Sequence, residues 1–335
     1  MLKKVFKRKR RTLILGIHGL SNKPPAHQLK RWWHSAIKEG LRDLKDSPTT
    51  FDFKMIYWAD ILYKIPLNSK EKDPNHPLFI EDPYLSRDKI KRTQPVTFWQ
   101  RVKHSGQYVK EVIFLSKIGL NNFRKPFNFI VKTGFRDLDI YFNEKIPMDQ
   151  QMASKPVKAQ IRSRMIDFLL KHKDKNILIL AHSMGSIIAY DVLHILGDKI
   201  DGVTLISMGS PLGLPLIREN IMKDHNLPFE EEAFPPTPEC VDAWYDFLDD
   251  DDNLAVFYNL GDYYLPNSKG VKPVESHVEN DYKHWVTENA HKSFGYLRTP
   301  ELAQVVCNFL QAGRSSFLEK SKQLFKRKGK QKPQG

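Results

Sequence analysis

The stretch Asn176–Tyr190, NILILAHSMGSIIAY, constrains this chain more than any other. Ile177, Leu178, Ile179 and Leu180 form a short unbroken apolar run, the pattern of a strand covered on both faces in a parallel sheet. Ser183 follows almost at once, and Ile187, Ile188, Ala189, Val192 and Leu193 then recur at helical spacing. The serine therefore sits in a tight turn between a buried strand and an apolar helix. Ala181 stands two residues before it and Gly185 two after, where strand and helix pass too closely for large side chains. A small-x-Ser-x-Gly turn in this setting is the form of a nucleophile elbow, which strains the serine backbone and lifts its hydroxyl clear of the sheet. The N–H of Met184, at the helix N-terminus, can then donate to a developing oxyanion. The plainer reading is that Ser183 merely caps the helix. The buried strand before it and the apolar helix after it favour the elbow.

Other segments supply matching pieces. Thr12–Ile17, TLILGI, reads as a second buried strand and ends in His18-Gly19-Leu20-Ser21. Gly19 permits close backbone approach, and the N–H of Leu20 is placed to be the second oxyanion donor. His27–Leu44 reads as an amphipathic helix whose Trp32 and Trp33 pack on the sheet, and Phe51–Trp58 as a third strand. Strand, helix, strand is the start of a doubly wound, mostly parallel α/β sheet. Residues 59–152 break the alternation. This insertion is proline-rich early, with Pro66, Pro74, Pro77 and Pro83, and then carries an apolar helical stretch over Phe98–Ile118. A large, mainly helical insertion of this length is expected to be functional, either a lid over the site or a membrane- or partner-facing helix, unless its apolar stripe simply packs on the core. A helix over Pro156–His172 leads back to the serine strand. Val203–Ser207 and Val241–Leu248 read as further strands, the latter the last clear one, and Glu301–Leu310 as the closing helix.

With 335 residues, of which 41% are hydrophobic and 11% aromatic, the chain suits one large α/β domain over 12–313. The two cysteines, Cys240 and Cys307, lie in apolar contexts and read as reduced core residues, not a disulfide or a zinc site. No cofactor or metal is called for. The net charge of +14 raises nucleic acid as a partner until its distribution is considered. The tail 1–11 holds seven basic and no acidic residues, and the tail 314–335 eight basic and one acidic, so the tails carry the whole charge and the body is neutral. Such tails are ordinarily solvated. Interleaved with Leu2, Val5, Phe6, Phe317, Leu318, Leu324 and Phe325, they suit an anionic membrane surface better than nucleic acid. No apolar run approaches the ~20 residues of a membrane span, and the N-terminal apolar run is too short for a secretion signal. The expected location is cytoplasmic, peripheral to the inner membrane face if the tails bind it.

A serine nucleophile needs a histidine to take its proton and a carboxylate to orient that histidine. After an elbow these follow in the order serine, acid, histidine. Asp249–Asp252 lie at the end of the strand Val241–Leu248, where such sheets build their sites, and one of them is the expected acid. His225, His277, His284 and His291 compete for the base. His291, just ahead of the closing helix, is placed to swing back over the sheet edge.

These pieces together resemble the α/β-hydrolase superfamily, in particular bacterial lipase- and esterase-like serine hydrolases. The resemblance rests on IHGL at Ile17–Leu20, AHSMGSIIAYDVL at Ala181–Leu193, GSPLGLP at Gly209–Pro215 and HKSFGYLRTPELA at His291–Ala303. A further piece, Trp244, Asp246, Asp249, Asp252, Leu254 and Ala255, follows the family pattern Trp-x-Asn-x-x-Asp-x-x-Asp-x-Val-Ala, with Asp246 in place of asparagine and Leu254 in place of valine. The resemblance implies an α/β-hydrolase fold, Asp252 as the acid with Asp249 as fallback and Asp262 behind it, and Ser183 and His291 as nucleophile and base. It implies an oxyanion hole from the Leu20 and Met184 N–H groups, supported by His18, Gly19 and Gly185. The expected activity is hydrolysis of a carboxylic ester, small-molecule or lipid, through an acyl-enzyme. Thioester or amide cleavage on the same residues, or a non-catalytic adaptor working through the tails, are the alternatives. The oligomeric state is left open.

Overall fold

The computed structural model describes residues 11–90, 130–143, 155–228, 233–252, 259–280, 282 and 289–313. The basic residues 1–10 and 314–335, the expected helical stretch Phe98–Ile118 and His284 lie outside the described residues.

Six parallel strands form one sheet in the order β2-β1-β3-β4-β5-β6: β1 (Thr12–Ile17), β2 (Phe53–Ile56), β3 (Asn176–His182), β4 (Val203–Met208), β5 (Val241–Leu248) and β6 (Pro273–His277). The helices in chain order are α1 (Ala26–Arg42), α2 (Ala59–Leu62), α3 (Arg87–Ile90), α4 (Ile130–Asn143), α5 (Val157–Lys171), α6 (Met184–Leu196), α7 (Pro215–Asp224), α8 (Leu260–Tyr263), α9 (Ser293–Tyr296) and α10 (300–313). β1 and β3 are buried along nearly their whole length, as strands with helices on both faces must be.

Alternate residues of the strands feed two cores, because the side chains of a strand point to opposite faces in turn. Leu15, Ile17, Ile177, Ile179 and Leu205 join one core with Ile161, Met165 and Leu169 of α5 and Ile187, Ile188 and Val192 of α6. Ile14, Leu178, Leu180 and Ile206 join the other with Leu29, Trp33 and Ile37 of α1 and Leu302, Val306 and Leu310 of α10. α6 is apolar nearly all round and buried accordingly. Its one charged side chain, Asp191, is held by Arg162 of α5 at 2.6 and 2.7 Å and by His225 at 2.8 Å. Despite the penalty of burial, these partners keep its carboxyl below the usual range. Cys240 and Cys307 are free and buried.

The sheet order has one reversal. The chain starts at β1, steps out to β2, then crosses back to β3 on the other side of β1. The crevice beyond the carboxyl ends of β1 and β3 lies at this switch point, where open α/β sheets bind ligands.

Two expectations need correction. β5 is not the last strand, because PVESH at Pro273–His277 adds β6 in parallel to it. That segment is short and polar and begins with proline, which a sheet tolerates at an edge or at a strand's first residue. Trp33 packs on β1 as expected, but Trp32 turns toward the crevice, edge-on to Phe294. The early, proline-rich part of the insertion, after α2, is an irregular strap over residues 63–86, as its prolines lead one to expect. It is pinned at both ends. Asn22 and the carbonyl of Lys23 bind the backbone of Ile65 and Leu67, while Tyr282 binds the backbone of Pro83 and Leu85. No helix among the described residues is long and apolar enough to cross a membrane.

Candidate active site

Ser183 stands between β3 and α6 with φ 53° and ψ −129°, a backbone conformation that L-residues seldom adopt. Its side chain makes no capping bond to the helix; the hydroxyl of Ser186 bonds the Ser183 carbonyl at 2.6 Å instead. The turn is stapled to its neighbours by the Ser183 N–H to the Met208 carbonyl at 3.0 Å and by Ser186 to Ser210 at 2.7 Å.

The small residues are explained by direct contact. A Cβ on Gly185 would lie 2.5 Å from the Ile17 carbonyl oxygen and 2.8 Å from that of His18, both backbone and unable to yield. A Cβ on Gly19 would lie 2.8 Å from Cβ of Ser183. The β1 loop is thus pressed against the serine turn, and Leu20 and Ser183 face the same cleft. Met184, as the first residue of α6, has no acceptor for its N–H within the helix.

His18 holds this loop and is not available as a base. It is fully buried, stacked on Trp58 with ring centres 4.8 Å apart, and its Nε2 accepts the Trp58 N–H at 3.1 Å. The indole N–H of Trp58 returns to the His18 carbonyl at 2.9 Å. Burial, reinforced by Lys23, pushes its pKa down to about 3, so it stays neutral with the proton on Nδ1, which donates to the Gly19 carbonyl.

Across the cleft, His291 Nδ1 lies 2.8 and 3.0 Å from the carboxylate oxygens of Asp252. The Tyr296 hydroxyl donates to the same carboxylate at 2.7 Å, and the aspartate side chain is almost fully buried. Asp249 does something else. Its carboxylate accepts the N–H groups of Asn280 and Asp251, which shapes the turn that carries Asp252. Asp250 pairs with exposed His277, Asp262 is exposed at the start of α8, and His225 belongs to the Asp191 cluster. Of the described competitors, only His291 lines the cleft with Ser183.

Three contributors were given no role from the sequence. His182, next to the nucleophile position, lies 2.7 Å through Nε2 from the His291 carbonyl. Burial, then His291, holds its pKa well below the ordinary value, so the neutral ring donates Nε2–H and fixes the His291 backbone. Gly209 has φ +51°, and a Cβ there would meet the Asp252 carboxylate at 2.6 Å and His291 Nδ1 at 3.0 Å. Asp137 of α4 is buried and accepts the Ser21 N–H at 2.7 Å and the Tyr63 hydroxyl at 2.8 Å, tying the insertion to the Leu20 loop. The repeated small residues after β3 and β4 were the available signal for Gly209. Nothing in the sequence marks Asp137, because its partners are more than seventy residues away.

The cleft has a volume of ≈ 660 Å³, within the ~300–1,000 Å³ usual for small-molecule sites. The strap and α1 give it apolar walls. Compared with protein-family models and with curated proteins, the chain matches none.

Proposed function

We propose that the chain is a serine hydrolase of the α/β-hydrolase type that cleaves a carboxylic ester through an acyl-enzyme. The observation that carries this reading is the pairing of a strained, non-capping Ser183 with a His291–Asp252 couple on one cleft. Ser183 Oγ attacks the ester carbonyl carbon and its proton passes to His291 Nε2. Asp252 accepts the Nδ1–H and stabilises the imidazolium. The oxyanion is held by the N–H groups of Leu20 and Met184, each worth ~3 kcal/mol in the transition state. Collapse expels the alcohol, which takes the proton from His291. Water, deprotonated by the same ring, then frees the acid and regenerates Ser183.

The strap would serve as a fixed wall and the rest of the insertion as a lid. The same constellation serves thioesters and amides, and a panel of matched substrates separates the three. The reading is tested with a serine-directed phosphonate. Labelling is expected at Ser183 alone, and Ser183→Ala should lower ester turnover by about a million-fold. Absent labelling, or turnover retained in a clean Ser183→Ala preparation, would overturn it and favour a non-catalytic role acting through the tails.

A further inference from the structure

Two lysines share the serine end of the cleft. Lys23 follows the Leu20 loop and folds its ammonium back onto the carbonyls of Leu20 and Ser21. Lys292 follows His291 and stands 3.6 Å from the Asp82 carboxylate, beyond hydrogen-bond distance. Both ammoniums lie close enough to push the His182 ring toward neutrality. Asp82 pairs with Lys292 and Asp137 acts on Lys23, and both carboxylates also accept neutral donors. Asp82 accepts from Asn289, and Asp137 accepts from Ser21 and Tyr63. A lysine has three donors, and the contacts made among the described residues leave donors on both ammoniums for a ligand. Burial, and then Lys292, drags the Lys23 pKa down to about 7, and Asp137 offsets this only in part. Beyond them the walls are apolar: Trp32, Leu62, Tyr63, Leu78, Phe79 and Phe294.

We infer that the substrate of this cleft, on the reading of Ser183 as an ester-cleaving nucleophile, is an anionic amphiphile. Its acyl chain lies along the apolar wall and its alcohol half carries a phosphate or carboxylate that binds Lys23 and Lys292. The anion takes the ammonium donors that Asp82 and Asp137 leave and adds to their counter-charge. The ester is thereby held with its carbonyl at the Leu20 loop, which Lys23 itself braces.

The test uses non-hydrolysable ligands, so that it does not depend on turnover. Octyl glyceryl ether and its phosphate monoester form one pair, 2-octyloxyethanol and octyloxyacetate the other. At ~0.8 kcal/mol per buried methylene, the chain gives each member measurable binding. Affinities are measured by calorimetry on the full chain at neutral pH and fixed salt. At least one anionic member is expected to bind about tenfold tighter than its neutral partner, or ~1.4 kcal/mol. The pair that shows this tells phosphate from carboxylate. Lys292→Met should reduce the preference to within about twofold, and Lys23→Met should do the same. Equal binding of both members in both pairs overturns the inference, and so does a preference that survives both substitutions. Phosphonate labelling of Ser183 in the same preparation reports separately on the hydrolase reading.

Discussion

Three carboxyls from the end of β5 end up in three different states. Asp252 faces His291 and Tyr296, Asp249 ties down the turn, and Asp246 is buried beneath both with Ser207 donating to it. The resemblance singled out Asp252 among four adjacent aspartates, whereas the contacts that set Asp249 and Asp252 apart come from Asn280 and Tyr296, some thirty to forty residues further on. The roles separate experimentally. Asp252→Asn should lower turnover by about ten-thousand-fold with little loss of stability, because the imidazole loses its tautomer and charge partner. Asp249→Asn should instead cost ~1–3 kcal/mol of stability through the lost N–H acceptors and leave turnover far less affected. Equal turnover losses in the two variants would contradict the assignment. Asp246 stands where the resembled pattern has asparagine, and its environment suits a neutral group. Burial, with Glu275 opposite it across β5 and β6 and Asp252 nearby, raises its pKa to about 7. A carboxyl raised in the folded state costs nothing below its unfolded value near 4 and costs progressively more as pH climbs to about 7, after which the cost is constant. Stability should therefore fall between pH ~4 and ~7 by something on the order of 4 kcal/mol from this group. Asp246→Asn should flatten that slope, matching the parent at pH ~4 and melting higher at pH ~8. A parallel pair of melting-temperature profiles would refute it.

At the scale of elements, the buried strands were readable because continuous apolar runs have few other uses. β6 and the strap were not readable, since neither carries periodicity: one is a short polar edge, the other proline-interrupted chain held by distant side chains. The turns after β3 and β4 lie between these cases. Their glycines are visible in sequence, but what they admit is not. Gly209→Ala tests the second turn. It forces a left-handed residue, ~1–2 kcal/mol, and drives a methyl into the Asp252 carboxylate and the His291 ring. Turnover should fall at least a hundredfold while the melting temperature drops by only several degrees, roughly what 1–2 kcal/mol implies. A loss of activity that merely tracks the unfolded fraction would mean that Gly209 serves the fold alone.

At the scale of the molecule, the charge was legible and the closure was not. Both basic tails can be counted from the sequence, whereas the strap becomes a wall only because residues distant in the chain hold it, Asn22 and Lys23 at one end and residues 282–298 at the other. Tyr282 is the chief of these. Its buried hydroxyl accepts the Leu85 N–H and donates to the Pro83 carbonyl, while Asn289 and Arg298 take Asp82 and the Leu85 carbonyl. The strap thus spans the switch-point crevice from the β1 loop to the segment that carries His291. It contributes the apolar lining from Ile65 to Ile80 and no reacting group. Loosening it should therefore change how substrate is held more than how it reacts. Tyr282→Phe keeps the ring between Phe294 and Arg298 but leaves the Leu85 N–H and the Pro83 carbonyl without their partner, at a cost of ~1–3 kcal/mol. The expected result with a medium-chain ester is a KM raised about tenfold and a kcat within about threefold of the parent, since a loss of uniform binding raises KM alone. With an acetyl ester, too short to reach the strap, both constants should stay near the parent values. A fall in kcat on the acetyl ester would show that the strap acts on the reacting groups, and the division of labour between wall and catalytic residues would have to be redrawn.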